Sequence, residues 1–283
     1  MDRRGPGVRY GNDAVSHQRD GDGVSDTIRS VYVDHDGVRL HYLDSGGLDS
    51  GGLDSGGPAS AAPLVFVPGM GDDADEFDHL LADLLPRRVL AVDLRGRGRS
   101  EVPDGGWGLA EHVADLAVVI GHAGIGRTHI ASYSRGTSYA VGWAIGHADQ
   151  VLSVAIGDYG ARQVKVPEDH WASWGKRRWR GRAGDERMDA RAILGVFTEG
   201  EAIDLFDDLG ALGVPVLVMH GTERDAMVTP ELLARYRAHV PNVETVAFAG
   251  SGHNLWRPDP HRFAATLADF LARVDAALPA DGG

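Results

Sequence analysis

A serine, a histidine and a carboxylate set at the ends of successive strands can cleave an acyl bond, and this 283-residue chain offers such a set. A serine hydroxyl is a weak nucleophile until a base removes its proton, and the base needs a carboxylate to fix its tautomer and stabilise its charge. Ser134 stands in Ser132-Tyr133-Ser134-Arg135-Gly136, where a short apolar run breaks abruptly and restarts as a segment rich in small residues. A serine at so tight a strand-to-helix corner has a strained backbone and a hydroxyl pushed out above the sheet, which demands small residues two before and two after it. Ser132 and Gly136 meet that demand, Ser132 in a place usually held by glycine. His253, in the run Ala249-Gly250-Ser251-Gly252-His253-Asn254, is the candidate base. Asp225, in Thr222-Glu223-Arg224-Asp225-Ala226, is the favoured carboxylate. Glu223 is a rival in the same loop, and Asp158 is another at the end of an earlier strand.

The elements that must position these groups show in the periodicity. Residues 30–34 and 38–43 alternate around Asp36-Gly37, the pattern of a β-hairpin. Residues 64–67, 89–93, 128–133, 151–156, 215–221 and 243–248 are apolar runs of the kind that form buried strands. Between them Phe77, Leu80, Leu81 and Leu84, then Leu109, Val113, Leu116 and Ile120, and finally Phe263, Leu267, Phe270 and Val274 recur at helical spacing. This alternation predicts an α/β fold, a mostly parallel twisted sheet with helices on both faces. Ligands of such sheets sit at the carboxyl ends of the strands. The alternation lapses over about residues 160–209, where a short helical lid is expected. Pro167 suits the first position of a helix, and a helix from there puts Trp171, Trp174, Arg178 and Trp179 on one face, with the three tryptophans as candidates to line an apolar pocket above Ser134. Residues 1–27 are polar and Gly/Asp-rich, the composition of a disordered leader. Leu-Asp-Ser-Gly-Gly stands three times over residues 43–57, which reads as a duplication accommodated in a surface loop.

From about Val31 to Leu278 the chain resembles the α/β-hydrolase superfamily, in its esterase, lactonase and epoxide-hydrolase-like branch. Pro68-Gly69-Met70-Gly71 is similar to the oxyanion turn, and Asp93-Leu94-Arg95-Gly96-Arg97-Gly98-Arg99-Ser100 to that branch's Asp-x-Arg-Gly-x-Gly-x-Ser segment. Residues 132–136 resemble the nucleophile elbow, and Gly252-His253 followed by Pro258 resembles the catalytic-histidine loop. The resemblance implies one α/β-hydrolase domain over residues 28–283, with Ser134 as nucleophile, His253 as base and Asp225 as its carboxylate. It also implies that the backbone N–H groups of Met70 and Arg135 form the oxyanion hole. The activity implied is a serine hydrolase of a small-molecule ester, thioester or lactone, working through an acyl-enzyme without cofactor or metal. A cofactor-free perhydrolase or haloperoxidase, or a C–C bond hydrolase, would use the same triad, and a hydrolase-like binding protein is a third reading. Epoxide-hydrolase and dehalogenase chemistry is disfavoured, because relatives with those activities carry Asp at the elbow.

Composition narrows the remaining classes. A formal net charge of −13 argues against a nucleic-acid or anionic-membrane surface. The absence of cysteine excludes disulfides, thiolate nucleophiles and Cys-based metal sites. No apolar run approaches the ~20 residues that span a bilayer, and no apolar stretch of a signal peptide follows Met1-Asp2-Arg3-Arg4, so a cytoplasmic protein is expected. No two histidines stand at metal-ligand spacing on one helix face, and His79, His129 and His220 read as structural. Arg135 is unusual, since a cation in the first turn of a helix opposes the macrodipole by ~0.3–1 kcal/mol. Either its side chain snorkels to solvent, or it pairs with a carboxylate, Asp158 foremost, or with an acidic group on the substrate. Nothing in the chain indicates its oligomeric state.

Overall fold

Asp36 and Gly37 both have positive φ, +51° and +81°, which is what a two-residue type I′ turn requires. They join β1 (Arg29–His35) to β2 (Val38–Asp44) in the expected hairpin. The computed structural model describes residues 28–46 and 61–278. The expected leader and residues 47–57 of the repeat loop lie outside the described residues. After β3 (Leu64–Val67), Asp73 caps a short 3₁₀ turn by accepting from the Glu76 N–H, and α1 (Asp78–Asp83) follows. The chain then runs through β4 (Val89–Asp93), α2 (Leu109–His122), β5 (Thr128–Tyr133), α3 (Gly136–Gly146) and β6 (Val151–Gly157).

The segment above the sheet's carboxyl edge comes next. It consists of β7 (Arg162–Gln163), α4 (Trp171–Lys176), β8 (Arg178–Trp179), β9 (Arg182–Ala183), α5 (Ala190–Glu199) and β10 (Ile203–Asp204). The chain returns to the sheet through α6 (Phe206–Ala211), β11 (Val216–Gly221), α7 (Pro230–His239), β12 (Val243–Phe248) and α8 (Arg262–Ala277). Pro230 at the first turn of α7 and the Thr229 hydroxyl capping the Leu232 N–H explain why that helix starts where it does.

Eight strands form one sheet in the order β1-β2-β4-β3-β5-β6-β11-β12, parallel from β4 to β12 and antiparallel at the hairpin edge. Successive side chains of a strand point to opposite faces, and the core divides accordingly. Val65, Val67, Leu90, Val92, Ile130, Val154 and Ile156 face one cluster, covered by α2, α3, α6 and α7. Leu64, Phe66, Val89, Ala91, Ala131, Ala155 and Leu217 face the other, covered by α1 and α8. A smaller third cluster, Trp107 with Met188, Ile193, Val196 and Phe197, fixes α5 above the sheet edge.

The lid differs from the expected helix. Pro167 precedes a 3₁₀ turn, Glu168–His170, and α4 ends at Lys176. Trp179 sits in β8, which turns through Arg180 (φ +48°) and Gly181 (φ +82°) into β9. The three tryptophans therefore share no helical face. Arg180-Gly181 at positive φ is again the two-residue hairpin geometry, and it outcompetes the helical spacing of the tryptophans.

Candidate active site

Ser134 lies directly after β5 with φ +52°, a conformation that costs a non-glycine residue about 1–3 kcal/mol and is held only by surrounding structure. Gly136 makes the corner possible, since a Cβ there would stand 2.1 Å from the Pro68 carbonyl oxygen and 2.5 Å from that of Val67. Ser132 replaces glycine without strain because its buried hydroxyl finds Thr137 Oγ1 at 3.1 Å and the Ala155 carbonyl at 3.3 Å.

His253 Nε2 is 2.9 Å from Ser134 Oγ, and His253 Nδ1–H donates to Asp158 Oδ2 over 2.8 Å. The carboxylate on the imidazole is thus Asp158, not the favoured Asp225. Asp158 follows β6 with φ +47° and is fully buried. It also accepts from the backbone N–H groups of Met227 (2.8 Å), Val228 (3.2 Å) and Gly221 (3.4 Å). The loop after β11 turns its amides inward to Asp158 and leaves Asp225 and Glu223 exposed, with the Asp225 carboxylate lying against Gly252. A buried carboxylate with three amide donors is fixed in place. The arrangement can pass the Ser134 proton to an imidazole whose tautomer is already set.

His253 is clamped from below by the strand that leads into Ser134. Tyr133 donates its phenol O–H to the His253 carbonyl at 2.7 Å, and its ring stacks on the imidazole at 5.0 Å. Trp179 meets the imidazole from the lid at 5.4 Å, Trp174 packs over Gly71 in the Pro68–Gly71 turn, and Trp171 is exposed. Only two of the three candidate lining tryptophans are therefore near the site. Gly69 comes so close to Ser134 that a Cβ would stand 3.1 Å from Ser134 Cβ, which places Met70 beside Ser134 as Arg135 is by sequence. The Met70 carbonyl accepts from Arg97 Nε at 3.0 Å and the Gly71 carbonyl from Arg187 Nη1 at 3.2 Å, so the turn is braced by two buried arginines. Among the described residues no group of metal-ligating side chains is assembled, and no helix is long and apolar enough to cross a membrane.

A model of the Alpha/beta hydrolase family matches residues 64–266. The chain belongs to that family. This α/β-hydrolase is 22% identical over 244 residues to the AB hydrolase superfamily protein YisY of Bacillus subtilis, a match covering 74% of this chain and 91% of that one. It is 23% identical to the N-formylmaleamate deformylase of Pseudomonas putida, over 88% of this chain and 98% of the relative. The solved structure of the esterase RhEst1 from a Rhodococcus species superposes with a TM-score of 0.69 at 21% identity, over 88% of this chain and 99% of that one.

Two of the other histidines of this α/β-hydrolase, His129 and His220, make hydrogen bonds within the fold. His129 bridges Ser153 Oγ (2.8 Å) and Asp275 Oδ1 (2.9 Å), and His220 bonds the Gly221 carbonyl. His112, which the sequence does not single out, is fully buried and stacks on Tyr139 at 4.0 Å. It accepts from Arg97 Nη1 at Nε2, so its Nδ1 carries the proton donated to the Gly108 carbonyl. Burial, with Arg97 beside it, holds the His112 imidazole well below its ordinary range, and burial also lowers His129. Below about pH 6.5 the unfolded chain binds protons that these folded imidazoles refuse. The stability they contribute is complete above that pH and is lost as pH falls through the window beneath it. Denaturant midpoints are expected to fall between pH 7 and 5.5, with a shallower slope in His112→Gln. An identical slope in wild type and variant would remove His112 from this account.

Proposed function

We propose that this α/β-hydrolase is a serine hydrolase that cleaves an ester, thioester or lactone of a small molecule through an acyl-enzyme. The reading is carried by the continuous hydrogen-bonded chain from Ser134 Oγ through His253 to Asp158 Oδ2 at the carboxyl edge of the sheet. In the forward half-reaction His253 Nε2 takes the Ser134 proton as Oγ attacks the acyl carbon, and Asp158 stabilises the imidazolium. The N–H groups of Met70 and Arg135 meet the charge that develops on the carbonyl oxygen, an interaction whose loss typically costs ~10²–10³ in rate. His253 then protonates the leaving oxygen or sulfur, and water repeats the sequence in reverse to release the acid and regenerate Ser134. Similarity to an N-formylmaleamate deformylase adds formyl amides to the substrate screen, because the same attack on a carbonyl serves either leaving group.

The test is intact-protein mass after incubation with a fluorophosphonate, for wild type and Ser134→Ala. One adduct on the wild type and none on the variant is expected. An unlabelled wild type, or a labelled Ser134→Ala, would rule out Ser134 as an activated nucleophile.

A further inference from the structure

Arg180 reaches from the lid to the flank of each part of the proposed site. It turns the β8–β9 hairpin with a left-handed backbone (φ +48°), which a residue other than glycine keeps only where its surroundings fix it. Its guanidinium lies over four rings, 4.9 Å from the centroid of Trp256, 5.3 Å from Phe77, 5.4 Å from Tyr133 and 5.6 Å from Trp179. Nη1 stands 3.3 Å from Glu76 Oε2 and 3.8 Å from Asp72 Oδ1. Nε and Nη2 are buried, and among the described residues neither has a hydrogen-bond partner.

The neighbouring lid arginines are held differently. Arg182 pairs with Asp73 at 3.0 Å and donates to the Glu186 carbonyl at 2.8 Å. Arg187 donates to the carbonyls of Trp179 and Gly71 and pairs with Glu76. Arg180 is instead held largely by rings. An aromatic face attracts a cation, more so where water is excluded, and a planar guanidinium stacks on such faces as an ammonium does not.

The sequence positions of its neighbours give this contact its meaning. Tyr133 immediately precedes Ser134, Trp256 follows His253 by three residues, and Asp72 follows Met70 by two. Tyr133 and Trp179 are also the rings that meet the His253 imidazole, at 5.0 and 5.4 Å. Trp256 in turn meets Tyr133 edge-on at 4.9 Å. One guanidinium thus packs on both rings that hold the imidazole.

We propose that Arg180 is a positioning residue for His253. By fixing Tyr133 and Trp179 it keeps the imidazole in line between Ser134 and Asp158, so the order of the reacting groups depends on the docked β8–β9 hairpin. The inference rests on Ser134 and His253 being the reacting pair. Misplacing a reacting group by about 1 Å costs on the order of a hundredfold in rate, which sets the scale of the loss when the guanidinium is removed.

The experiment is steady-state hydrolysis of p-nitrophenyl acetate by Arg180→Met, Arg180→Lys and Arg182→Met. Arg180→Met is expected to lower kcat by about tenfold to a hundredfold with KM within a factor of about three, and Arg180→Lys to recover part of the loss. Arg182→Met is the control, because Arg182 shares Glu76 but among the described residues lies over none of these rings. Its kcat is expected within a factor of about two of wild type. Proton NMR gives a readout that needs no turnover. The downfield resonance of the His253 Nδ1–H bonded to Asp158 is expected to be sharp in wild type and Arg182→Met and broadened in Arg180→Met. That resonance tests Arg180 even if fluorophosphonate labels no serine, in which case only the hydrolase reading fails. An unchanged resonance in Arg180→Met, or a kcat within a factor of about two of wild type, overturns the assignment. An equal loss in Arg182→Met overturns it as well, because the shared ion pairs rather than the rings would then be responsible. Should Arg180→Met fail to fold, Arg180→Lys decides: a reduced kcat with a broadened resonance upholds the role, and wild-type values overturn it.

Discussion

Replacing Asp158 with Asn is expected to lower kcat by about 10⁴, with KM little changed, while Asp225→Asn stays within a factor of about three of wild type. Asp158 accepts the Nδ1–H of His253 and three backbone N–H groups. An amide there offers its NH₂ or its oxygen to the ring. The first choice flips the imidazole to the tautomer that cannot take the Ser134 proton, and the second leaves the imidazolium without a counter-charge. The geometry survives and the chemistry does not. Asp225, by contrast, is exposed and touches the Gly252 backbone rather than the ring. Steady-state kinetics on the two variants, with thermal unfolding as a control for folding, separates them. The reverse order of effects would return the role to Asp225.

The second large effect is expected at Arg187. Its side chain is 1% exposed and its Nη1 lies 2.7 Å from Glu76 Oε1 and 3.4 Å from Asp72 Oδ1. Nη2 and Nε donate to the Trp179 carbonyl at 2.8 and 3.2 Å, and Nη1 also to that of Gly71. Burial, with Glu76 adding to it, raises the Asp72 carboxyl, and Arg180, followed by Arg187, opposes that shift. Removing one partner of a buried ion pair typically costs about 3–5 kcal/mol, because the other charge is stranded. Arg187→Met is therefore expected to lower Tm by on the order of 10 °C and to speed hydrogen exchange over residues 178–188. It also reduces kcat, since the Gly71 carbonyl loses its anchor one residue from Met70. A Tm within 2 °C of wild type with unchanged exchange would show that Arg180 and Arg182 suffice to neutralise Asp72 and Glu76.

The sheet and its two covering layers were legible because buried strands and amphipathic helices impose periods of two and 3.6 on the sequence. Ser134 and His253 were legible for a local reason. A corner that excludes Cβ at Gly136 and a Gly-rich loop around His253 leave compositional marks. Asp158 was visible as a rival but not separable from Asp225, since both follow strands and the difference lies in which way the loop after β11 faces its amides. That direction is set by packing across β6 and β11, not by residues near Asp225. The lid was misread because Trp171, Trp174, Arg178 and Trp179 have helical spacing, while Arg180 in a left-handed conformation has no sequence mark of its own. Gly181 was the available hint of a hairpin. The partners of Arg135 could not be read at all: its buried guanidinium donates to the Val164 carbonyl and to Tyr139 Oη, while Asp158 is already engaged by His253 and three backbone amides.

The way Asp158 is held bears on how this chain can change over generations. The stretch from Thr222 to Thr229 contributes backbone amides to the site, and every residue except proline carries one. Substitutions at Glu223, Arg224 or Asp225 therefore leave that contribution intact, so this loop is free to drift in sequence, charge and neighbouring contacts while the reacting groups stay where they are. Under the proposed mechanism Asp158, Ser134 and His253 have no such latitude. Variation in homologues should accordingly gather on the outer rim beside the base, in a segment whose position near the chemistry would otherwise suggest strict constraint.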